Sequence, residues 1–463
     1  MTRRRRLGER SGLLLVAVLL ADLTGCAPGP DGSPSRPSVI LISVDTLRPD
    51  HLEIHGYEKN TAPALARFAE SALLFERCYS HAPSTRLSIS SLLTGYLPHE
   101  TRTFFNESLP AEVDTLAEVL QRDGYSTLAV VSNYVLMPSR GWNQGFDLYD
   151  DTMNSRELNR EAPERIASAT TDRAIELLSS HSKQPMFLWI HYQDPHGPYL
   201  PPSALREQFR DPTRRARDLP LNQTLSGLAG IPLHQRLGGE RDFHYYVASY
   251  DGEIRFFDLH FERLLDALDE HGLLDSALIV FTADHGEALG ERGHYFAHVG
   301  YLHGNLTNVP MILKLGDQLR GRRTDACQHL DVVPTILGVL GIEADARLRG
   351  RDLREIDDGT KEIYAATTSP IDGDGAKFSM IRGGFKLIFN SQTEVHQLFD
   401  LVEDPGEEKD LASDPRHQSR RLSLAQALLR VFTDDRLKLD TESEPGPRSE
   451  SELRRLRALG YVE

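Results

Sequence analysis

Cysteine is scarce in this chain, with only Cys26, Cys78 and Cys327 among 463 residues. Three cysteines form at most one intrachain disulfide, which excludes the disulfide-dense class of small secreted domains. No two of them have the short spacing of zinc ligands, which argues against a structural zinc site. Cys78 and Cys327 either pair in an oxidising compartment or remain two buried thiols, and the sequence leaves both alternatives open.

Positive charge is also in short supply. The chain holds 52 Lys and Arg against 68 Asp and Glu, a formal net charge of −16. Such a surface repels nucleic acid unless it carries a local basic patch. The one four-residue basic run, Arg3–Arg6, lies at the N terminus, where a targeting role explains it better. We therefore expect no nucleic-acid partner.

Long apolar runs are absent, since the N-terminal stretch Gly12–Ala21 is too short to cross a bilayer as a helix. A basic segment, this stretch and then Leu23-Thr24-Gly25-Cys26 follow the order of an export signal, and the last four residues look like a bacterial lipoprotein box. This implies removal of residues 1–25, lipidation of Cys26 and a flexible tether over 26–37. We expect a protein anchored in the cell envelope, on the periplasmic or extracellular face of a bacterial membrane; a plain secretory signal is the alternative.

From residue 38 the pattern alternates short apolar runs with helical periodicity, as βα units do. A helix is predicted over His244–His271, where apolar residues recur at three-to-four spacing before Gly272. Near-continuous apolar runs predict parallel strands covered on both faces. These runs are Val39–Val44, Thr127–Val131, Met186–Ile190, Leu278–Ala283 and Met311–Leu315. Residues 38–350 are therefore expected to form an α/β domain with a mostly parallel central sheet.

The texture of the sequence changes after residue 350. The remaining residues, 351–463, are expected to form a smaller C-terminal subdomain, an antiparallel sheet plus a helix. Gly383-Gly384 between two of its strand candidates signals a hairpin. The predicted elements are strands at Ile363–Ala366, Phe378–Ile381, Phe385–Phe389 and Leu398–Asp400, and a helix at Ser419–Phe432.

Polar residues follow four of the predicted strands. Because parallel strands place their carboxyl ends on one sheet edge, these residues are expected to converge there. Two Asp and a neutral His suit a divalent cation such as Mn, Mg, Ca or Zn. A single Asp at such a place can instead cap the next helix, but Asp284-His285-Gly286-Glu287 crowds charge at one strand end. The converging residues are Asp45, Ser132, Asn133, His191, His196, Asp284 and His285.

A further candidate is a hydroxyl at the start of a predicted helix. Pro83 in a turn leads into a helix beginning near Thr85, whose first turn offers free N–H groups and a positive dipole end to an anion. A hydroxyl there, bound to a metal, can become a nucleophile. Thr85 or Ser84 acting only as an N-cap is the alternative.

Five segments form an ordered set of motifs: Val39–His51, Ser91–Gly95, His191–Tyr199, Tyr250–Ile254 and Phe281–Glu287. In that order they resemble the sulfatase family of the alkaline phosphatase superfamily, and the resemblance runs from about Ser38 to the end of the chain. The C-terminal segments Leu398–Glu407 and Leu459–Glu463 also look like that family.

The resemblance implies an alkaline-phosphatase-like fold, one divalent metal at the sheet edge and an anionic ester as substrate. By motif, the metal ligands would be Asp45, Asp284 and His285, together with the nucleophile. Contacts to the substrate anion and the leaving group would fall on His196 and His298. His191 is a weaker candidate for substrate binding.

The chain departs from the family at its nucleophile. Sulfatases carry a Cys, converted to formylglycine, in Cys-x-Pro-Ser-Arg, and counting back from Gly95 puts Thr85 at that position and Ile89 at the Arg position. Oxidation of Thr gives a ketone, so Thr85 cannot become formylglycine. Thr46 likewise replaces the second of the paired acidic ligands after the first strand. Arg86 could hold the anion instead, although a surface salt bridge is the alternative role.

These departures favour phosphate over sulfate chemistry. A Thr–sulfate ester lacks the exit that the formylglycine diol provides, whereas a Thr–phosphate ester can be hydrolysed or passed to an acceptor. We therefore expect cleavage of phosphate esters, phosphodiesters or phosphonates, or transfer of a phospho group. A sulfuric ester hydrolase without formylglycine and an inactive binding lipoprotein are the alternatives. The polar stretch Leu205–Asp242 is expected to be a loop over the active-site edge that sets specificity.

Overall fold

The fold is given by a computed structural model, which describes residues 36–104, 108–181, 185–356, 361–369, 375–434, 436, 437 and 439. The expected signal, the lipobox with Cys26 and the family-like end Leu459–Glu463 lie outside the described residues. Within the described residues, none of the helices combines the length and the apolar character that crossing a membrane requires.

The strands alternate with helices over the first three quarters of the chain. In chain order the strands are β1 (Val39–Val44), β2 (Leu73–Tyr79), β3 (Ser126–Val131), β4 (Leu148–Asp150), β5 (Ser155–Arg156), β6 (Pro163–Glu164), β7 (Met186–Tyr192), β8 (Leu278–Ala283), β9 (Ala288–Leu289), β10 (Tyr295–Ala297), β11 (Asn308–Lys314), β12 (Gly321–Arg323), β13 (Cys327–Gln328), β14 (Ile363–Ser369), β15 (Gly375–Arg382), β16 (Phe385–Asn390) and β17 (His396–Asp400). The helices are α1 (Pro63–Glu70), α2 (Thr85–Thr94), α3 (Leu116–Arg122), α4 (Ala167–His181), α5 (Ser203–Phe209), α6 (Phe243–Glu270), α7 (Gly304–Thr307), α8 (Val332–Leu340) and α9 (Gln418–Thr433).

A mostly parallel sheet forms the centre of the molecule, in the order β12-β2-β11-β8-β1-β7-β3-β4, with β13 also paired to β2. Every residue of β1, β7 and β8 is buried, which explains their near-continuous apolar sequences, because helices cover both faces. Helix α4 packs on β3 and β7, and the long helix α6 packs on α4 and α5. The mostly parallel α/β architecture expected from the sequence is confirmed.

One predicted strand runs the wrong way. Strand β11, expected at Met311–Leu315 as a parallel strand, is antiparallel to both β8 and β2. Burial on both faces produces the same apolar run in either direction, so composition alone does not report strand direction. Strand β2 was not predicted, because the exposed Glu76 interrupts its apolar pattern.

The C-terminal elements follow the prediction closely. Strands β14 to β17 form an antiparallel four-stranded sheet, and Gly383 and Gly384 make the turn between β15 and β16. Both glycines have positive φ, the left-handed conformation that favours glycine in tight turns. Helix α9 packs on β15 and β16. A small antiparallel sheet with a helix is therefore confirmed.

Cys78 and Cys327 lie side by side. They are register partners in the parallel pair of β2 and β13, and both are buried free thiols. Burial and the neighbouring Cys78 raise the pKa of the Cys327 thiol well above its usual value. Of the two alternatives left open by the sequence, the structure has the pair of buried thiols.

Candidate active site

Two buried carboxylates meet at the carboxyl edge of the central sheet. Strand β1 pairs with β8 so that Val44 lies opposite Ala283, and the next residues are Asp45 and Asp284. The backbone N–H of Asp284 donates to Val44 O at 3.1 Å, and that of Asp45 donates to Tyr192 O at 2.9 Å. The sheet hydrogen bonds therefore continue one residue beyond the strands and fix both carboxylates in register.

Each carboxylate has one satisfied oxygen and one unpaired oxygen. Asp45 Oδ2 accepts a hydrogen bond from Asn133 Nδ2 at 2.7 Å, and Asp284 Oδ1 accepts the backbone N–H groups of Thr46 and His285 at 3.2 and 2.7 Å. Asp45 Oδ1 and Asp284 Oδ2 are buried and have no hydrogen-bond partner among the described residues. Buried charged oxygens normally have partners, so this pair fits a bound cation.

Two imidazoles complete the set of ligand atoms. His285 Nε2 lies 3.7 Å from Asp45 Oδ1 and 3.5 Å from Asp284 Oδ2, and His191 Nε2 lies 3.8 Å from Asp45 Oδ2. Asp45, His191 and Asp284 each offer a ligand atom within 4.8 Å of the others. The sequence analysis gave His191 as a weaker candidate for substrate binding, and the structure brings its Nε2 into the same group as the two carboxylates.

Hydrogen bonds hold both rings with Nε2 towards the carboxylates. His285 Nδ1 donates to Gly286 O at 2.9 Å, and His191 Nδ1 is hydrogen-bonded to Ser43 Oγ at 2.9 Å. Trp189 Nε1 also donates to Ser43 Oγ, at 2.9 Å. Metal-binding histidines usually have such a partner on the second nitrogen, which sets the tautomer and the ring orientation.

The electrostatics of the edge also fit a cation. Burial and the charge of Asp45 raise the pKa of Asp284 well above its usual range. Burial acts in the same direction on Asp45, but the surrounding His196, His191 and His285 lower its pKa below the usual range. Burial lowers the pKa of His285 to about 3, so the ring is neutral at pH 7, the form that binds metals.

Thr85 opens helix α2 directly beside this cluster. Its Oγ1 lies 3.4 Å from Asp45 Oδ2 and 3.5 Å from His285 Nε2, and the side chain is buried. Ser84, at the N-cap, makes no side-chain capping bond. Ser88, one turn later, donates to Asp284 O at 2.5 Å and fixes the helix against the edge. The Thr85 hydroxyl is therefore oriented towards the cluster rather than towards its own helix.

His196 and His298 face the cluster from the loops above it. Their ring centroids are 5.2 Å apart, and the His298 ring lies 4.6 Å from that of His285. Burial lowers the pKa of both rings, but Glu287, whose Oε1 is 3.4 Å from His298 Nδ1, raises the pKa of His298 overall. Tyr199 donates to the other oxygen of Glu287 at 3.0 Å. His298 is therefore the stronger base of the pair and His196 the weaker.

Arg86 and Ser132 are the remaining predicted residues. Arg86 is half-buried in the first turn of α2, and Ser132 is hydrogen-bonded to Thr170 Oγ1 at 2.7 Å. Little in the sequence supported a site role for Asn133, which donates to Asp45, and nothing indicated Glu287 as the partner of His298. Both residues follow strands β3 and β8, so position at a strand end was the available signal.

Comparison with known proteins identifies the family to which this sequence is similar. The family model described as sulfatase matches residues 37–342, and that of the C-terminal part of N-sulphoglucosamine sulphohydrolase matches 290–434. The chain is 23% identical over 452 residues to a Δ4,5-hexuronate-2-O-sulfatase of Bacteroides thetaiotaomicron, covering 89% of this chain and 92% of the relative.

Solved structures agree in fold. A structure in complex with its substrate D-glucosamine-2-N,6-O-disulfate aligns with a TM-score of 0.72 and 19% identity, over 88% of this chain and 100% of the other. The phosphonate monoester hydrolase of Agrobacterium radiobacter aligns with a TM-score of 0.71 and 20% identity, over 86% and 96%. The chain belongs to the sulfatase family, and with it to the hydrolases that act on ester bonds.

Proposed function

We propose that this protein is a metal-dependent phosphoesterase or phosphotransferase that uses Thr85 as its nucleophile. The observation that carries the proposal is the position of Thr85 Oγ1, 3.4 Å from Asp45 Oδ2 and 3.5 Å from His285 Nε2 at the edge of the sheet. Cys78, the nearest cysteine in sequence, lies instead in strand β2 beside Cys327. Thr85, whose hydroxyl lies beside Asp45 and His285, is therefore our candidate for the nucleophile.

The residues at this edge fit a divalent cation. Asp45 Oδ1, Asp284 Oδ2 and His191 Nε2 are buried without partners among the described residues. These atoms and His285 Nε2 would hold the ion, and hard oxygens with imidazole suit Mn, Mg, Ca or Zn. When bound, such an ion supplies Lewis-acid stabilisation of the charge that develops on the ester.

The side chains divide the reaction between them. The Thr85 hydroxyl donates towards Asp45 Oδ2, and its oxygen attacks the phosphorus in line while the proton leaves along that contact. Glu287 raises the pKa of His298, which favours the protonated ring, and this ring gives its proton to the leaving oxygen. His196, neutral because of burial, contacts the substrate anion. Water or an alcohol then takes the phospho group from Thr85.

The chemistry of Thr85 favours phosphorus over sulfur. A threonine side chain offers a simple alcohol, and the resulting phosphate ester is cleaved by attack of water at phosphorus. The similarity in fold to a phosphonate monoester hydrolase supports this preference. A sulfatase without formylglycine is the second candidate, because the curated relative acts on a 2-O-sulfated hexuronate.

The test compares four p-nitrophenyl substrates, a phosphate, a phosphodiester, a phosphonate and a sulfate, with each metal in turn. Thr85→Ala is expected to abolish phospho-ester turnover, because the nucleophilic oxygen is lost. Thr85→Ser is the matched control, since it retains the hydroxyl and removes only a methyl group, and it is expected to remain active. After rapid acid quench, the wild-type chain and Thr85→Ser should carry a phospho group at residue 85.

Three other outcomes would change the assignment. Sulfate turnover that survives Thr85→Ala would remove Thr85 from the mechanism and favour a sulfatase. Phospho-ester turnover that survives the same change would make the nucleophile another group at this edge. Absence of both turnover and metal binding would favour an inactive binding protein.

We also propose that Cys26 is a lipid anchor that holds the enzyme in the cell envelope. The support is the order of basic segment, short apolar stretch and Leu23-Thr24-Gly25-Cys26. Expression with radiolabelled palmitate is expected to label the wild-type chain and leave Cys26→Ser unlabelled. Equal labelling of the two chains would contradict the anchor.

A further inference from the structure

A short hairpin lies beside the carboxyl end of strand β3. Strands β5 (Ser155–Arg156) and β6 (Pro163–Glu164) pair in antiparallel register, and Glu164 also forms a bridge with Asn133. Arg165 N donates to Ser132 O at 3.2 Å at the base of the hairpin. Because Asn133 donates to Asp45, the hairpin is rooted one residue away from the metal-binding edge.

The tip of the hairpin is fixed against the loop that carries His196. Asn159 Nδ2 donates to His234 O at 2.9 Å and to Arg236 O at 2.7 Å. Between these residues, the Gln235 side chain packs so closely on Gly197 that a Cβ at residue 197 would meet it at 2.0 Å. The hairpin tip, residues 233–236 and the His196 loop therefore form one packed layer.

One arginine in this tip is held along one edge only. Arg160 Nε and Nη2 donate to Glu157 Oε2 and Oε1, each at 2.5 Å, and Glu157 is buried while the Arg160 side chain is 31% exposed. Its Nη1 makes no hydrogen bond within the described residues. Bidentate pairing of this kind fixes the plane of a guanidinium and leaves its other edge available to an anion.

The charge of Arg160 acts on the reaction centre. It interacts electrostatically with Asp45, and it acts on His196 and His298 in the direction that lowers their pKa values. Helix α2 has the buried Ile89 where the family has its arginine, so that position offers no positive charge to a substrate. The Ile89 position therefore supplies no cation, whereas the hairpin supplies one.

We propose that Arg160 binds the substrate anion. Its Nη1 donates a hydrogen bond to a non-bridging oxygen of the phosphate, phosphonate or sulfate group. Arg160 then supplies a positive charge that Ile89 of α2 does not. This assignment rests on the proposed function for its reaction, but anion binding is measurable without turnover. The ligand class is a tetrahedral oxyanion carried on an ester.

The test measures the dissociation constant of inorganic phosphate by calorimetry on the full chain with metal, beside kcat and KM on the best ester. Arg160→Ala is expected to weaken phosphate binding about 10- to 100-fold, because a charge-assisted hydrogen bond is lost. Arg160→Lys should lie between wild type and Arg160→Ala, because lysine keeps the charge and loses the fork. Added guanidinium ion should restore part of the binding to Arg160→Ala.

Two variants separate anion binding from hairpin structure. Arg156→Ala removes a neighbouring exposed arginine that donates to Glu161 O, and it is expected to bind phosphate as the wild type does. Arg160→Ala with Glu157→Gln removes both charges, so weakening that persists in this double variant does not come from an unpaired Glu157. The temperature midpoint of thermal unfolding of the double variant should match that of Arg156→Ala.

The outcomes distinguish this inference from the proposed function. Phosphate binding that is equal in wild type, Arg160→Ala and the double variant would overturn the role of Arg160, even if esters are hydrolysed. Arg160-dependent phosphate binding in a chain without ester turnover would support the role of Arg160 and contradict the enzymatic proposal. A loss of binding as large in Arg156→Ala would also overturn it, since the hairpin fold would then be the cause.

Discussion

Two regions of this molecule bury polar side chains in opposite ways. At the seam between the central sheet and the C-terminal sheet, buried Lys386 Nζ lies 2.9 Å from Glu407 Oε1, and His81 Nδ1 donates to Tyr364 O at 2.6 Å. At the carboxyl edge of the central sheet, Asp45 Oδ1, Asp284 Oδ2 and His191 Nε2 have no partner within the described residues. Glu407 Oε2 also has no hydrogen-bond partner there, but its carboxylate is paired with a lysine, whereas neither carboxylate of the edge is paired with Lys or Arg within the described residues.

The difference shows which buried polar groups point to function. A buried charge costs free energy unless it is paired, so a fold retains unpaired ones where a ligand supplies the partner. Both regions contain family-like motifs, and Glu407 ends one of them. Its carboxylate accepts Gly304 N at 3.0 Å and pairs with Lys386, which is a structural role. Missing cationic partners, rather than motif membership, mark the reactive edge.

The largest expected effect separates activity from stability at the edge. Asp284→Asn keeps the oxygen that accepts the two backbone N–H groups and replaces the unpaired one. Ester turnover should fall about 10⁴-fold, because several kcal/mol of charge stabilisation is lost. In chelator, the free energy of unfolding should rise by about 1 kcal/mol, because the like charges of Asp45 and Asp284 no longer repel. Urea titration and steady-state kinetics check both; a destabilised apo variant would contradict this account.

The seam should respond in the reverse sense. Lys386→Met leaves Glu407 buried without its cation and is expected to lower the free energy of unfolding by about 3 to 5 kcal/mol. Turnover per folded molecule should remain within about twofold of wild type, because the pair does not touch the edge. Adding Glu407→Gln should recover part of the stability while retaining an acceptor for Gly304 N. A free energy of unfolding of Lys386→Met equal to that of the wild type would contradict the contrast between the seam and the edge.

Acid should weaken the seam through His81. Burial lowers the pKa of this ring to about 4, against 6.5 in the unfolded chain. The unfolded chain therefore takes up this proton first, so the contribution to stability is full above pH 6.5 and is lost as pH falls towards 4. The loss amounts to about 3 kcal/mol. Denaturant titrations at pH 7 and pH 4 should show that much less pH dependence in His81→Gln than in wild type.

A smaller effect is expected from the residue that orients His191. Ser43→Ala removes the hydrogen bond to His191 Nδ1 and is expected to weaken metal binding about 10- to 100-fold. Ser38→Ala is the matched control, because Ser38 Oγ accepts Met186 N at the opposite end of the same strands. Calorimetric titration with metal compares the two. Equal metal affinity in both variants would remove His191 from the ligand set.

Much of the fold could be predicted because local pattern decides it. Strands β1 and β8 were predicted with their observed bounds, and the start of α2 at Thr85 follows from the turn at Pro83. The direction of β11 could not be predicted, because a strand buried on both faces has the same composition in either direction. Strand β2 was not predicted because the exposed Glu76 and the partly buried Arg77 interrupt its apolar pattern.

The sequence brought forward candidate site residues at strand ends, at the start of α2 and in the family-like segments. Asp45, Asp284 and His285 continue strands whose register the sheet imposes. His191 is the sixth residue of β7, and its link to Ser43 depends on the pairing of β1 with β7, which no local pattern encodes. Arg160 lies in a polar stretch with no periodicity, and its nearness to His196 arises from tertiary packing. For this reason the sequence alone did not suggest His191 as a metal ligand or Arg160 as an anion-binding residue, the roles proposed above.

The hairpin of residues 155–164 has a consequence for how this enzyme can change. It enters and leaves the domain at neighbouring points beside strand β3, and its own pairing closes it. Insertions or substitutions there leave the register of β1, β7 and β8 untouched. The electrophilic centre and the residue that selects the anion are thus encoded in separable pieces of the chain, so substrate preference can diverge among descendants while the reaction itself is inherited unchanged.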